Sequence, residues 1–205
     1  MTAGVSTWLR ERIRLKKSKL IPAHMNFFYC FGGLSFFIIL LQLVTGVFML
    51  FFYDPEPQEA LKSIEYMSNE VVFGGFSRNM HRWSSVILLA MVFSHMIIVF
   101  YFKAYRSPRE LNWLSGVVQL LVVFLFIATG VILPWDWRAY WSFSLWVDYI
   151  ATWPMIGEYF SQLILDGFSI TVGYFIHVLI LPVTLAALLG FHFKMVRKHG
   201  ISEPL

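Results

Sequence analysis

Charge is what this sequence has least of. Asp, Glu, Lys and Arg make up 14% of its 205 residues, against the roughly 25% usual for soluble domains. That is too little to clothe a water-soluble globule of this size, and with 58% hydrophobic residues, 19% aromatic residues and a mean hydropathy of +0.66 the chain reads as an integral membrane protein. Cysteine is nearly absent. Cys30 stands alone, which excludes an intrachain disulfide, CxxC zinc sites and the CxxCH haem-attachment pattern. Long polar linkers, internal repeats and low-complexity tracts are missing too, so residues 1–205 are expected to form one domain. The net charge of +4 and pI near 9.2 do not indicate nucleic acid, because basic residues lining a bilayer surface account for them.

What the sequence does have is four nearly uncharged stretches, about 26–53, 86–102, 111–133 and 167–193, matching the roughly 20 residues that span a bilayer core. The second reaches back to about Ser77 if Arg78 and Arg82 sit at the interface. Before the first span, Arg10 to Lys19 form a basic amphipathic segment without the apolar run and small-residue cleavage site of a signal peptide. Residues 1–25 are therefore expected to lie on the membrane as an interfacial helix, and 26–205 to form the bundle.

Orientation follows from the connections. Basic residues crowd the N-terminal segment, the second connection (Lys103, Arg106, Arg109) and the C-terminus (Lys194, Arg197, Lys198), all on one side of a four-span chain. Acidic residues dominate the first connection and the third. The positive-inside rule puts both termini on the cytoplasmic, negative side of the inner membrane or of a photosynthetic membrane. The third connection, with Trp135, Trp137, Trp141, Trp146 and Trp153, is expected to form helices lying along the positive surface, rings at headgroup level.

Histidines inside apolar spans carry the chemistry. His81 and His95 are 14 residues apart on the second span, and His177 and His192 are 15 apart on the fourth. At 100° per residue these spacings return to within about 40° and about 60° of the starting direction, with the two members separated by roughly 21–22 Å along the axis. Each of these spans thus offers two stacked ligands on about one face. Both run from the positive to the negative side, so depth pairs His81 with His177 and His95 with His192. Two bis-histidine b-type haems, one toward each membrane face, would use all four imidazoles. The plainer alternative is polar contacts between helices, or isolated interfacial histidines.

Gly32 and Gly46 on the first span, and Gly116 and Gly130 on the third, are again 14 apart. These spans run the other way, which sets Gly32 and Gly116 at the level of His95/His192, and Gly46 and Gly130 at that of His81/His177. A residue without Cβ lets a flat macrocycle approach the backbone. Small-residue helix packing would use glycine similarly.

With these residues in view, the chain resembles the cytochrome b6 family, the four-helix cytochrome b subunits of quinol-oxidising Rieske complexes and their bacterial menaquinol relatives. The resemblance runs from about Pro22 to Leu205 through Phe28-Tyr29-Cys30-Phe31-Gly32-Gly33, Thr45-Gly46, His81-Arg82-Trp83, Pro108-Arg109-Glu110-Leu111, Thr129-Gly130, Leu133-Pro134-Trp135-Asp136 and Arg197-Lys198-His199-Gly200-Ile201-Ser202. It implies haem at the four histidines, with Arg78 and Arg82 near positive-side propionates and Arg109 near negative-side ones. It also implies a third, c-type haem held by Cys30 through a single thioether near the inner b haem, and a quinone site (menaquinone or plastoquinone) beside Arg197. The partners implied are a subunit-IV-like cytochrome b C-terminal protein, a Rieske iron–sulfur protein and a c-type cytochrome, in a dimeric complex.

Two segments depart from the family. Trp137-Arg138-Ala139-Tyr140-Trp141 is bulkier than its usual counterpart, and the approach to His177 lacks several residues and an arginine. The Pro-Glu-Trp-Tyr quinol motif is missing as well, which the resemblance assigns to another subunit. The reading is an all-α integral membrane chain, a four-transmembrane-helix haem-binding bundle. It moves electrons from a positive-side quinol site to a negative-side haem and quinone site, coupled to proton translocation, as one subunit of an oxidoreductase. The alternatives are a di-haem anchor of a quinone-linked dehydrogenase and a haem-free transporter or scaffold.

Overall fold

A computed structural model of the chain describes residues 27–200, so the N-terminal segment expected to lie on the membrane falls outside the described residues. A 3-10 turn, Phe27–Cys30, leads into α1 (Phe31–Leu50). There follow α2 (Ala60–Asn69), α3 (Gly74–Tyr101), α4 (Glu110–Ile132), α5 (Trp137–Ala151) and α6 (Gly157–Gly167). The chain ends in α7, a run from Ile170 to His199. Helices α1, α3, α4 and α7 are long and apolar enough to cross a membrane. Lipid offers a backbone N–H or C=O no partner, so an uncharged run of this length closes its own hydrogen bonds as a helix.

The expected spans hold, with shifted ends. Helix α3 starts at Gly74, taking in Arg78 and Arg82, and α7 continues past Phe193 through the basic Lys194, Arg197 and Lys198. The third connection is helical as expected, forming α5 and α6. Asp136 caps α5, its carboxylate accepting from Ala139 N at 2.8 Å, a local bond typically worth about 1 kcal/mol. Trp137, Trp141 and Trp146 are exposed on it. Helix α2 was not expected from the sequence. It buries Ala60, Ile64 and Met67, one helical face, and a Cβ at Gly74 would strike the Met67 carbonyl, so glycine lets α3 begin directly against α2.

Contacts at the two ends fix the up-down order. At one end the Tyr53 hydroxyl donates to the Leu133 carbonyl at 2.6 Å, Thr171 donates to the Pro55 carbonyl at 3.3 Å and the Tyr53 and Tyr174 rings lie 5.2 Å apart. Burial, with Tyr174 and Asp54 nearby, pushes the Tyr53 phenol above its usual range, so it stays a hydrogen-bond donor. At the other end Arg109 Nη2 donates to the His199 carbonyl at 3.4 Å, and Tyr29 stacks on Phe102 at 5.8 Å. The midsection is held by Val122, Leu181 and Leu185, with Ile39, Phe126 and Leu188 packed against them. Side chains such as Phe37, Val44 and Phe100 are exposed on the outside of the bundle, where lipid tails rather than water would meet them.

Helix α7 is not uniform. It is α-helical over Ile170–Phe175, passes through a π turn at Ile176–Ile180, and resumes as α-helix over Leu181–His199. Pro182 sits at the start of the resumed helix, where it has no N–H to give to a carbonyl four residues back and its ring crowds that carbonyl. A wider turn relieves both.

Candidate functional site

The π turn resolves the unequal histidine spacing. A π turn holds one residue more than an α turn for about the same rotation, and four of its five residues, from His177 itself to Ile180, belong to the stretch that ends at His192. The stretch is therefore underwound relative to an ideal α-helix. The roughly 60° offset expected of an ideal helix is thereby reduced.

Each glycine meets the histidine at its own level. A Cβ at Gly46 would lie 3.2 Å from His81 Cε1, one at Gly130 3.0 Å from His177 Cε1, one at Gly32 3.0 Å from His95 Cε1 and one at Gly116 3.8 Å from His192 Cε1. The depth assignment made from the sequence is reproduced at all four positions, with a different immediate reason. What comes up against the glycine is the imidazole edge. At three positions a methyl group there would crowd the ring, and at Gly116 it would make an ordinary contact.

His81 and His177 face each other across the bundle with ring centroids 6.4 Å apart and planes tilted by 59°. Two imidazoles bound end-on to one metal ion, at the roughly 2.0–2.1 Å of a zinc–imidazole bond, would hold their ring centres roughly 6–6.5 Å apart. Among the described residues no three His, Cys, Asp or Glu side chains cluster as a metal cage. Pairs rather than triads would suit a metal that arrives already held in a macrocycle and needs only two further ligands from protein.

Hydroxyl groups orient three of the rings. Thr45 Oγ1 is 2.9 Å from His81 Nδ1, Thr129 Oγ1 is 2.8 Å from His177 Nδ1 and Ser115 Oγ is 2.8 Å from His192 Nδ1. Each hydroxyl gives its own proton to a carbonyl of its helix, Leu41 at 2.8 Å, Leu125 at 2.7 Å and Asn112 at 2.9 Å. It is left to accept at Nδ1, which makes Nδ1 the protonated nitrogen and leaves Nε2 with the lone pair a metal needs. His95 Nδ1 is buried with no hydrogen-bond partner among the described residues.

Residues 16–200 match the family model described as Cytochrome b/b6/petB. The chain belongs to the cytochrome b/b6 family. It is similar to the cytochrome b6 of Desmonostoc sp. (strain PCC 7906), at 38% identity over 99% of this chain and 100% of the relative. It is also similar to that of Prochlorococcus marinus (strain MIT 9211), at 37% identity over 100% of this chain and 99% of the relative. A solved chain from "Hyperthermophilic respiratory Complex III" superposes with a TM-score of 0.84 at 28% identity, covering 97% of this chain. This chain spans 56% of that one. Family membership and the four apolar helices make it a multi-pass membrane protein.

In this member of the cytochrome b/b6 family the remaining candidates divide. Arg78, three residues before His81 and so on nearly the same face, is half-buried and donates to Ser68 Oγ at 3.4 Å. Arg82 and Arg197 are exposed. Arg109 stands at the start of α4, its guanidinium turned to the His199 carbonyl at the end of the bundle where α7 finishes. Cys30 is a free, exposed thiol at the start of α1, two residues before Gly32. Exposure departs from the buried, inert state usual for a lone cysteine. Thr45, Ser115 and Thr129 were not picked out as ligand-orienting residues from the sequence. The signal was there: each immediately precedes one of the glycines.

Proposed function

We propose that the chain carries electrons across the membrane within a quinol-oxidising Rieske/cytochrome b complex, from a quinol site on the positive side to a quinone site on the negative side, coupled to proton translocation. The observation that carries this reading is the His81/His177 pair, 6.4 Å between ring centres, with both Nδ1 atoms engaged by threonine. His81 and His177 would hold one b-type haem, and His95 and His192 a second. Bound there, haem supplies reversible one-electron iron chemistry at two depths.

The protein's part is to place and tune. Gly32, Gly46, Gly116 and Gly130 make room beside each ligand, and Thr45, Ser115 and Thr129 hold ring orientation and tautomer. Arg78 and Arg82, and at the other end Arg109, offer guanidinium groups to propionates. Cys30, exposed near the His95 level, would carry a c-type haem by one thioether, with Arg197 beside a menaquinone or plastoquinone site. Residues 1–205 act as one membrane domain, 1–25 lying on the surface and both termini on the negative side. The partners are a subunit-IV-like protein, a Rieske iron–sulfur protein and a c-type cytochrome, in a dimeric complex in the inner or a photosynthetic membrane.

The test is quinol-driven reduction in membranes holding the full complex. Added quinol should bleach the oxidised and raise the reduced b-type absorbance. Wild-type membranes whose b-type absorbance ignores quinol would overturn the reading.

A further inference from the structure

The four ligand positions are built on one plan with one exception. On α1 and α4 a hydroxyl residue precedes glycine at Thr45-Gly46, Ser115-Gly116 and Thr129-Gly130, and each hydroxyl meets the Nδ1 of the histidine that its glycine accommodates. At the fourth position Phe31 precedes Gly32. Gly32 accommodates His95 as closely as Gly130 does His177, yet His95 Nδ1 is buried without a partner among the described residues. The level of His81 and His177 thus carries two hydroxyl acceptors, and the level of His95 and His192 only one.

An acceptor at Nδ1–H pulls that proton away from the ring and makes Nε2 the stronger donor to a metal. A stronger donor favours the oxidised, more positive iron, and so lowers its reduction potential. We infer that Thr45 and Thr129 are positioning residues that together hold the His81/His177 level at the lower potential, whereas Ser115 acts alone at the other level and Phe31, by withholding an acceptor from His95, leaves the His95/His192 level the easier to reduce. The direction matches an electron entering at the His81/His177 level. This rests on the haem reading above and assigns part of the driving force for inward transfer to the second hydroxyl at one level and its absence at the other.

The test is a potentiometric titration of b-type absorbance in membranes containing the full complex, each component assigned by whether His177→Ala removes it. Thr45→Val keeps the shape and removes the hydroxyl; it should raise the potential of the His81/His177 component. Outer partners of metal ligands commonly count for 10–100-fold, and a shift of roughly tenfold in the reduction equilibrium corresponds to about 59 mV for one electron. Thr45→Ser, which restores the hydroxyl, should return it to the wild-type value. Phe31→Ser, placing a hydroxyl before Gly32, should lower the His95/His192 component and leave the other unmoved. If Thr45→Val loses its component outright, Phe31→Ser decides alone. Both components present and unmoved in Phe31→Ser would overturn the inference while leaving the haem reading intact. Wild-type membranes with no b-type component would overturn both.

Discussion

Gly130 and His177 are fitted to each other: a Cβ on the glycine would sit 3.0 Å from the histidine Cε1, on the same turn as the Thr129 hydroxyl that holds Nδ1 at 2.8 Å. The imidazole is therefore pinned from two directions by adjacent residues of one helix. At Gly116 the corresponding distance is 3.8 Å, ordinary van der Waals contact.

The difference ranks the glycines. Gly116→Ala should leave both b-type components in place. Gly130→Ala and Gly32→Ala should force the ring aside at a cost of about 1–3 kcal/mol, the usual range for overpacking, and weaken the component at their own level only. Reduced-minus-oxidised spectra of membranes from the three variants check it. Equal losses in all three would show that the glycines serve general helix packing instead.

Helix α7 offers a second check. If the π turn at Ile176–Ile180 takes up the extra residue between His177 and His192, deleting Val178 should turn it into ordinary α-helix and keep both components. Deleting Leu89, in the uninterrupted interval between His81 and His95 on α3, turns one histidine by about 100° relative to the other and should cost one component. The same spectra read both deletions.

How far the site was legible in the sequence follows from which features are rigid. A transmembrane helix has a nearly fixed period, so residue counts alone placed four glycines opposite four histidines at the right depths. The counts assume an ideal helix, so the π turn before Pro182 leaves no trace in them and they overstate the winding between His177 and His192. Thr45, Ser115 and Thr129 were hidden for another reason. Hydroxyl residues in membrane helices commonly bond to their own backbone, and only the three-dimensional contact shows that these also accept from an imidazole. Helix α2 escaped notice because its buried face is just Ala60, Ile64 and Met67 within an acidic, polar loop.

Cys30 gives a prediction independent of the histidines. Its exposed thiol at the start of α1 should carry a haem that survives denaturing electrophoresis, so the wild-type polypeptide should stain for haem and Cys30→Ser should not. Both b-type components should remain in the variant. Intact-mass measurement is decisive, since an unmodified wild-type chain with an alkylatable thiol would remove the third haem and leave the two others standing.

The measurement that bears most directly on the whole account is the haem content of the purified chain by pyridine haemochrome, for wild type, His177→Ala and His192→Ala. The account predicts two b-type haems per wild-type chain and one in each variant, with His177→Ala and His192→Ala retaining different components because each imidazole serves its own level. A wild-type chain without b-type haem, or two variants that lose the same component, would contradict it.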